Sequence, residues 1–400
     1  AGFINGKAEA DAVRKLSESF GLPVDPNLRI QDVSVGTQQR VEILKALQRN
    51  AQVLILDEPT AVLTPQEVHE LYNVIRDLAR SGRTIILITH KLLEVKDVAD
   101  RVSIMRRGRM IGTHQVADVS IRDMANMMVG REVILQVEKK AAQPGEPVLK
   151  IENALVAGSG GVPAVFGVSL EVRAGEILGI AGVSGNGQTE LIEAVAGLRP
   201  LDGGKITLLN TDISSDSVRD RRSRGLAHIP EDRLVMGLNL STTLDENVVV
   251  THYHQAPFSQ HSVLQFEPMR RFAQRIVDAF QVKSARVGEE IRTLSGGNLQ
   301  KVVLGRELEG HPRFIIANQP TRGLDVGSIE FVHKTLIEQR DAGAAILLVS
   351  VELDEIFSLA DRIAVMFEGR IMGVLNRADA TEENIGLLMA GSALEVTEQG

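Results

Sequence analysis

The chain repeats itself, and the repeat dictates most of what it can fold into. Ser34-Val35-Gly36-Thr37-Gln38-Gln39-Arg40 resembles Ser295-Gly296-Gly297-Asn298-Leu299-Gln300-Lys301, an offset of 261 residues. At that offset the run from Val53 to Thr60 (VLILDEPT) meets the run from Phe314 to Thr321 (FIIANQPT). Ala99-Asp100-Arg101 likewise meets Ala360-Asp361-Arg362, and Gly108-Arg109 meets Gly369-Arg370. The register holds without a gap from Ser34 to Gly112, too far for coincidence, so the chain carries two copies of one unit. The second copy reaches back to a first strand near Val148, whereas the first has only Ala1 to Val33 before its matching point. A glycine loop at Gly182 maps about eighty residues before Ala1, so the first copy is expected to lack its front. The expected organisation is 1–131 for the back part of the first copy, 132–147 for a polar linker with two prolines and a glycine, and 148–400 for a complete second copy.

Hydrophobic patterning sets the fold class. Val53 to Leu56 and Thr84 to Thr89 are short apolar runs rich in β-branched residues and read as buried parallel strands. Glu67 to Arg80 has helical spacing, with Val68, Leu71, Val74, Ile75 and Leu78 on one face and Pro65 just ahead of it. Strand, helix and strand in succession imply an α/β fold on a parallel sheet, and such sheets bind ligands at the carboxyl ends of their strands. Asp57-Glu58, His90 and the loop after the strand Glu176 to Ala181 all stand at such ends.

Composition narrows the function. The net charge of −8 argues against a general nucleic-acid binder, which needs a basic surface. The one basic run, Arg219 to Arg224, reads as a solvated helix face in preference to a phosphate patch. With no cysteine there is no disulfide framework and no thiol chemistry. No apolar stretch is long enough to cross a bilayer, and no basic-then-apolar leader opens the sequence.

Four motifs carry chemistry. Gly182-Val183-Ser184-Gly185-Asn186-Gly187-Gln188-Thr189 follows a strand, opens a helix and has the spacing of a phosphate loop, in which backbone N–H groups and a helix N-terminus face phosphate oxygens. Its lysine, however, is Gln188. Alone, such a turn reads as structural; inside this repeat it reads as a weakened phosphate loop. Asp57-Glu58-Pro59 could be a plain acidic loop, but at a strand end it suits a carboxylate for the Mg²⁺ shell (Asp57) beside one that polarises an attacking water (Glu58). His90 ends a strand at the same sheet edge; a structural histidine is the alternative to a γ-phosphate contact. Leu294 to Asn298 precedes a helical stretch starting near Leu299, either as a glycine turn at a helix cap or as a second anion site, and its recurrence shortly before an apolar strand favours the anion site.

Together these residues resemble the ATP-binding-cassette (ABC) ATPases. Leu294 to Gln300 is similar to the family signature, and Leu54 to Thr60 to its carboxylate strand. Pro230-Glu231-Asp232-Arg233 and Pro320-Thr321-Arg322-Gly323-Leu324-Asp325-Val326-Gly327 resemble the fused ATP-binding subunits of bacterial simple-sugar and nucleoside importers, and Leu56 to Pro65 leans towards the nucleoside branch. The resemblance implies tandem P-loop domains that pair head to tail around ATP and Mg²⁺. Each site then takes its loop, carboxylates and histidine from one domain and its signature from the other.

One composite site would combine Asp57, Glu58 and His90 with Ser295, Gly296, Gly297 and Asn298, plus a phosphate loop upstream of Ala1. The other would combine Gly182, Ser184, Gly185, Asn186, Gly187, Gln188 and Thr189 with the first signature, Ser34 and Gly36. In that second site the acidic pair has become Asn318-Gln319, the histidine Val351, a signature glycine Val35 and the usual loop glutamine Glu231. A base-stacking aromatic is not evident at Ala157 to Gly161, and Thr64 replaces an aspartate that Asp325 keeps. The resemblance therefore implies one competent and one degenerate site. It also implies two transmembrane permeases, an extracytoplasmic solute-binding protein, no nucleic-acid partner, and peripheral association with the cytoplasmic face of the plasma membrane. A soluble, non-transport ABC ATPase and an inactive scaffold are the competing readings.

Overall fold

In the computed structural model the residues described are 6–30, 33, 35–48, 51–60, 65–106, 108–130, 132, 139–158, 161–183, 185–283 and 286–392. The chain divides into two compact units, Ala1–Val133 and Ile134–Gly400. In the first, helices α1 (Gly6–Phe20) and α2 (Val35–Gln48) lead into β1 (Val53–Asp57), α3 (Pro65–Arg80), β2 (Thr84–Ile88), α4 (Leu92–Val98), β3 (Arg101–Arg106), β4 (Arg109–Gln115) and α5 (Ile121–Val129). The second runs β5 (Pro147–Ala157), β6 (Pro163–Arg173), β7 (Ile177–Ala181), α6 (Gln188–Ala196), β8 (Gly203–Leu208), β9 (Thr211–Asp212), α7 (Val218–Ser223) and β10 (Leu226–Ile229). It continues with a π turn (Arg233–Gly237), α8 (Leu244–Val249), β11 (Ser259–Gln260), β12 (Val263–Leu264), α9 (Phe266–Ala279), α10 (Gly296–Leu308), β13 (Phe314–Asn318) and α11 (Val326–Asp341). It ends with β14 (Ala345–Val349), α12 (Leu353–Leu359), β15 (Arg362–Phe367), β16 (Arg370–Asn376) and α13 (Glu382–Met389).

The second unit is built on a six-stranded sheet of order β10-β13-β14-β7-β15-β16, parallel except for the antiparallel β15–β16 edge. Alternate residues of its strands enter two cores. Ile177, Ile315, Ala317, Ile346 and Leu348 face helices α8 to α13, while Leu178, Ile180, Phe314, Ile316, Leu347 and Val349 face α6 and the antiparallel sheet β6-β5-β8-β9. The central strands β7, β13 and β14 are therefore apolar on both faces, as buried parallel strands must be. The expected linker is not wholly free: Lys139 donates to the Leu359 and Ala360 carbonyls at 3.0 and 2.6 Å and pairs with Asp361 at 3.1 Å, within the second unit.

The repeat is visible in three dimensions. Strands β1 and β2 pair in parallel as β13 and β14 do, Val53 opposite Thr84 and Phe314 opposite Ala345. The β3–β4 register shifts between Ile104 and Met105, and the β15–β16 register between Val365 and Met366, again 261 residues on. Capping boxes at Ser120 and Thr381, and left-handed glycines at Gly130 and Gly391, keep that offset, so the correspondence runs past Gly112. Ahead of the signature the offset falls to 260, since Gly21 and Gln281 close equivalent turns at positive φ. The expectation of buried strands in the first unit needs correcting. Leu54 and Leu56 pack against α2 and α3, but Val53, Ile55, Ile86 and Ile88 on the other face are 53%, 61%, 46% and 48% exposed.

Candidate functional site

Among the first unit's described residues, the chemistry gathers at the carboxyl ends of β1 and β2. Asp57 ends β1 with an exposed side chain, and Glu58 follows with φ of 46°, a left-handed conformation rare for residues other than glycine. The Glu58 N–H, donating to the Ile88 carbonyl at 2.8 Å, holds this turn. The side chain then meets His90, with Glu58 Oε1 2.9 Å from His90 Nδ1. Glu58 Oε2 is buried without a protein partner. A carboxylate oriented through one oxygen and open at the other is equipped to hold and polarise a water. The Glu94 carboxylate braces the turn from behind by accepting from the hydroxyls of Thr60 and of Thr89, the latter at 3.1 Å. Thr89 Oγ1 in turn accepts the Lys91 N–H at 3.0 Å, fixing the segment that presents His90.

The second unit repeats the frame with other side chains. Gln319 takes φ of 50° and its N–H donates to the Val349 carbonyl at 2.7 Å. Thr321 donates to Glu355 at 2.8 Å, and His333 Nε2 stands 3.0 Å from the same oxygen. Asn318, Gln319 and Val351 occupy the places of Asp57, Glu58 and His90, so at those three positions there is neither carboxylate nor imidazole.

The glycine loop joins β7 to α6, with Gly185 and Gly187 at positive φ. A Cβ at Gly187 would lie 2.5 Å from the Ala164 carbonyl oxygen, and one at Gly182 2.6 Å from that of Met366, so both positions must be glycine. Gln188 is buried and donates to the Val183 carbonyl at 3.1 Å, filling the loop with a neutral amide. Asn186 is committed to its neighbours: its side chain accepts the Glu368 N–H at 3.0 Å and its carbonyl the Gly369 N–H at 2.9 Å. Thr189 is exposed, and Ser184 lies outside the described residues. Beside the loop a cavity of about 620 Å³ is lined by Gly158, Phe166, Gly185, Asn186, Glu190 and Arg370. An aromatic ring thus does approach the loop, with the Arg370 guanidinium 5.4 Å from its centroid. It comes from β6 and not from Ala157 to Gly161, because the β5–β6 hairpin folds over the loop; the signal was the apolar run after Pro163.

The signature segment starts a helix earlier than its sequence suggested. Ser295 is the N-cap and α10 begins at Gly296, ahead of Leu299. Asn298 donates to Ser295 Oγ at 3.0 Å and accepts the Lys283 N–H at 3.0 Å, and the Ser295 side chain does not cap the first turn. That leaves a hydroxyl at a helix N-terminus, a place suited to anions. In the first copy Gly36 lies in the first turn of α2, and Ser34 lies outside the described residues.

A second cavity, of about 710 Å³, is lined by His228, Met236, Val250, Tyr253, Met269 and Glu307, among others. Exposed apolar side chains Leu234, Val235, Val263 and Phe266 lie in the segments that form it. In its wall the Glu307 carboxylate is clamped by Arg222 at 2.6 Å and Arg306 at 2.9 Å. Burial would raise this carboxyl, but the two guanidiniums and the His228 N–H hold it below the ordinary range. Burial pushes the His228 imidazole down to about 4, Glu307 offsetting this only in part. The basic run is therefore a solvated face only in part: Arg219 and Arg224 are exposed, the other two arginines are not. Arg221 is buried and donates to the Ala194 and Val195 carbonyls that end α6, at 2.5 and 2.8 Å, and Arg222 is spent on Glu307. Carbonyls left bare at a helix end attract a guanidinium.

The family model described as ABC transporter matches residues 5–61 and 165–322. The chain is 49% identical to the guanosine import ATP-binding protein NupO of Bacillus subtilis, over 98% of this chain and 77% of that protein. It is 46% identical to the nucleoside import ATP-binding protein NupA of Lactococcus lactis, over 96% and 76%. It is 42% identical to the glucose import ATP-binding protein TsgD13 of Haloferax volcanii, over 95% and 69%. Among solved structures, a nucleotide-free ATP-binding cassette from an ABC transporter superposes with a TM-score of 0.51 at 24% identity, covering 61% of this chain and 95% of that one, a likeness of fold.

Proposed function

This chain belongs to the ABC transporter family, and on that premise we propose that it is the ATPase that powers import of a nucleoside, with a simple sugar as the alternative cargo. The observation that carries the reading is the contrast between the copies: Glu58 and His90 stand 2.9 Å apart on a frame where the second copy holds Gln319 and Val351. Glu58 would take the proton of the attacking water, and His90 would orient that carboxylate and face the γ-phosphate. Ser295, Gly296, Gly297 and Asn298 would supply the hydroxyl and N–H groups of the signature.

The residues fit Mg²⁺. Among the described residues no three His, Cys, Asp or Glu side chains form a cage. This ion usually takes one or two carboxylates and completes its shell with phosphates and waters. Asp57 would hold it, and its charge would offset that of the phosphates. The second copy is the non-hydrolytic one, since Gln188 brings no charge to its loop and Asn318-Gln319 no carboxylate.

The partners follow from the same reading. Among the described residues no helix is long and apolar enough to cross a membrane. Two permease subunits would therefore carry the solute, fed from outside by a solute-binding protein, with this subunit bound peripherally at the cytoplasmic face. The cavity between Met236, Tyr253 and Met269, with Val235 80% exposed nearby, suits an apolar cytoplasmic segment of a permease.

The test is reconstitution of the native protein with its permeases and binding protein in proteoliposomes. Glu58→Gln is expected to cut ATPase and guanosine uptake together by about 10²-fold or more. Hydrolysis that survives the substitution sinks the site assignment, and uptake of ribose but not guanosine replaces the nucleoside by a sugar.

A further inference from the structure

Two arginines tie the wall of the larger cavity to the signature turn. Asp232 fixes the π turn by accepting the N–H groups of Leu234 and Val235 at 2.8 and 3.0 Å. From the first residue of that turn, the Arg233 guanidinium reaches the Arg322 carbonyl at 2.7 Å and the Gly323 carbonyl at 3.4 Å. The Arg322 guanidinium pairs in return with Glu231. The π turn and the first turn of α11 then press on the signature. A Cβ on Gly296 would stand 3.0 Å from Arg233 Nη2, and one on Gly297 2.2 Å from Ser328 Oγ. Asp325, in the loop that Arg233 grips, caps α11 through the Ser328 N–H at 3.0 Å and accepts from Ser328 Oγ at 2.9 Å.

This arrangement belongs to the second copy. At the 261-residue offset Arg322 corresponds to Ala61, so the first copy has no guanidinium there. The cation accompanies the copy whose Asn318 and Gln319 carry no charge. An exposed ion pair adds little stability by itself, but a planar guanidinium that forks onto two carbonyls fixes direction in a way a lysine cannot.

We propose that Arg233 and Arg322 are positioning residues for Ser295 to Gly297, holding the signature in its working geometry through the carbonyls that Arg233 grips and the Arg322–Glu231 pair, before nucleotide or metal arrives. The role rests on the reading that this turn serves ATP hydrolysis. The test combines hydrogen–deuterium exchange at the amides of 296–298 in nucleotide-free native protein with steady-state ATPase kinetics. Arg322→Ala and Arg233→Lys are expected to speed exchange by up to about fivefold, the factor an exposed ion pair of ordinary strength would give. KM for ATP should rise by a similar factor while kcat falls less than twofold. The reciprocal pair Glu231→Arg with Arg322→Glu should bring both back towards wild type. Unchanged exchange, or faster exchange with KM unmoved, overturns the proposal. Because exchange needs no turnover, its result stands apart from Glu58→Gln, whose failure would sink the hydrolytic assignment alone.

Discussion

Strands β1 and β13 begin from the same pattern, five residues that close on a polar side chain and are followed by a residue at positive φ, yet they live in different surroundings. Leu54 and Leu56 in one, and Ile315 and Ala317 in the other, pack against helices. On the opposite face Phe314 and Ile316 are wholly buried under α6 and the antiparallel sheet, whereas Val53 and Ile55 are more than half exposed. Burying such a side chain contributes about 1.5–3 kcal/mol. The same apolar alternation therefore specifies a strand in both copies, but it stabilises fully only where a second layer covers it. Chemistry runs the other way. The first copy, with the thinner core, keeps the carboxylate and imidazole; the second, with the complete core, has replaced both.

Exchanging residues between copies would break or sharpen that contrast. The largest expected effect is on turnover. His90→Val, which installs the second copy's residue, should lower ATPase about 10²–10³-fold in the native protein. The mirror change Val351→His should move it less than twofold, because Gln319 offers an imidazole no carboxylate to orient. Equal effects would mean that both sites turn over.

Next in size is packing. Ile316→Ala should cost about 2–5 kcal/mol by urea denaturation of the 400-residue chain, whereas Ile55→Ala should stay within about 0.5 kcal/mol. A comparable loss at Ile55 would show that the exposed face is covered in solution.

The second copy's cavity also predicts a pH effect. His228 titrates near 4 when folded, against 6.5 for an ordinary histidine, so the unfolded chain binds the extra proton between those values. Stability present above pH 6.5 is therefore lost as pH falls towards 4, by up to about 3 kcal/mol. His228→Gln should flatten the slope of unfolding midpoint against pH over that window, and an unchanged slope would place the effect on other groups.

The smallest effect tests what the copies share. Thr60→Val and Thr321→Val each remove a hydroxyl from a buried glutamate, Glu94 or Glu355, and each should cost about 1–3 kcal/mol by the same denaturation. A difference above about 1 kcal/mol between them would mean that the two frames are not mechanically equivalent.

Much of the site was legible because it follows from local chemistry. The repeat by itself places Glu58 opposite Gln319 and His90 opposite Val351, and the parallel β1–β2 pair brings the first copy's two together. Less legible were contacts between distant segments. Phe166 reaches the glycine loop only because a hairpin folds over it, and Arg221 looked like surface because nothing in its neighbourhood marks the carbonyls of α6 as its partners. Arg233 and Arg322 are 89 residues apart, and neither carries a local signal of the other.

By itself, then, the sequence determined the duplication, the strand-and-helix alternation, the glycine loop without its lysine and which copy retains a carboxylate and a histidine at matching strand ends. These are properties of short stretches and of their spacing, set by backbone sterics and side-chain chemistry. Tertiary structure decided which apolar faces are covered, which arginines are buried and what holds the signature turn. Those outcomes depend on segments that meet only after folding, where desolvation makes a buried charge costly unless a partner meets it.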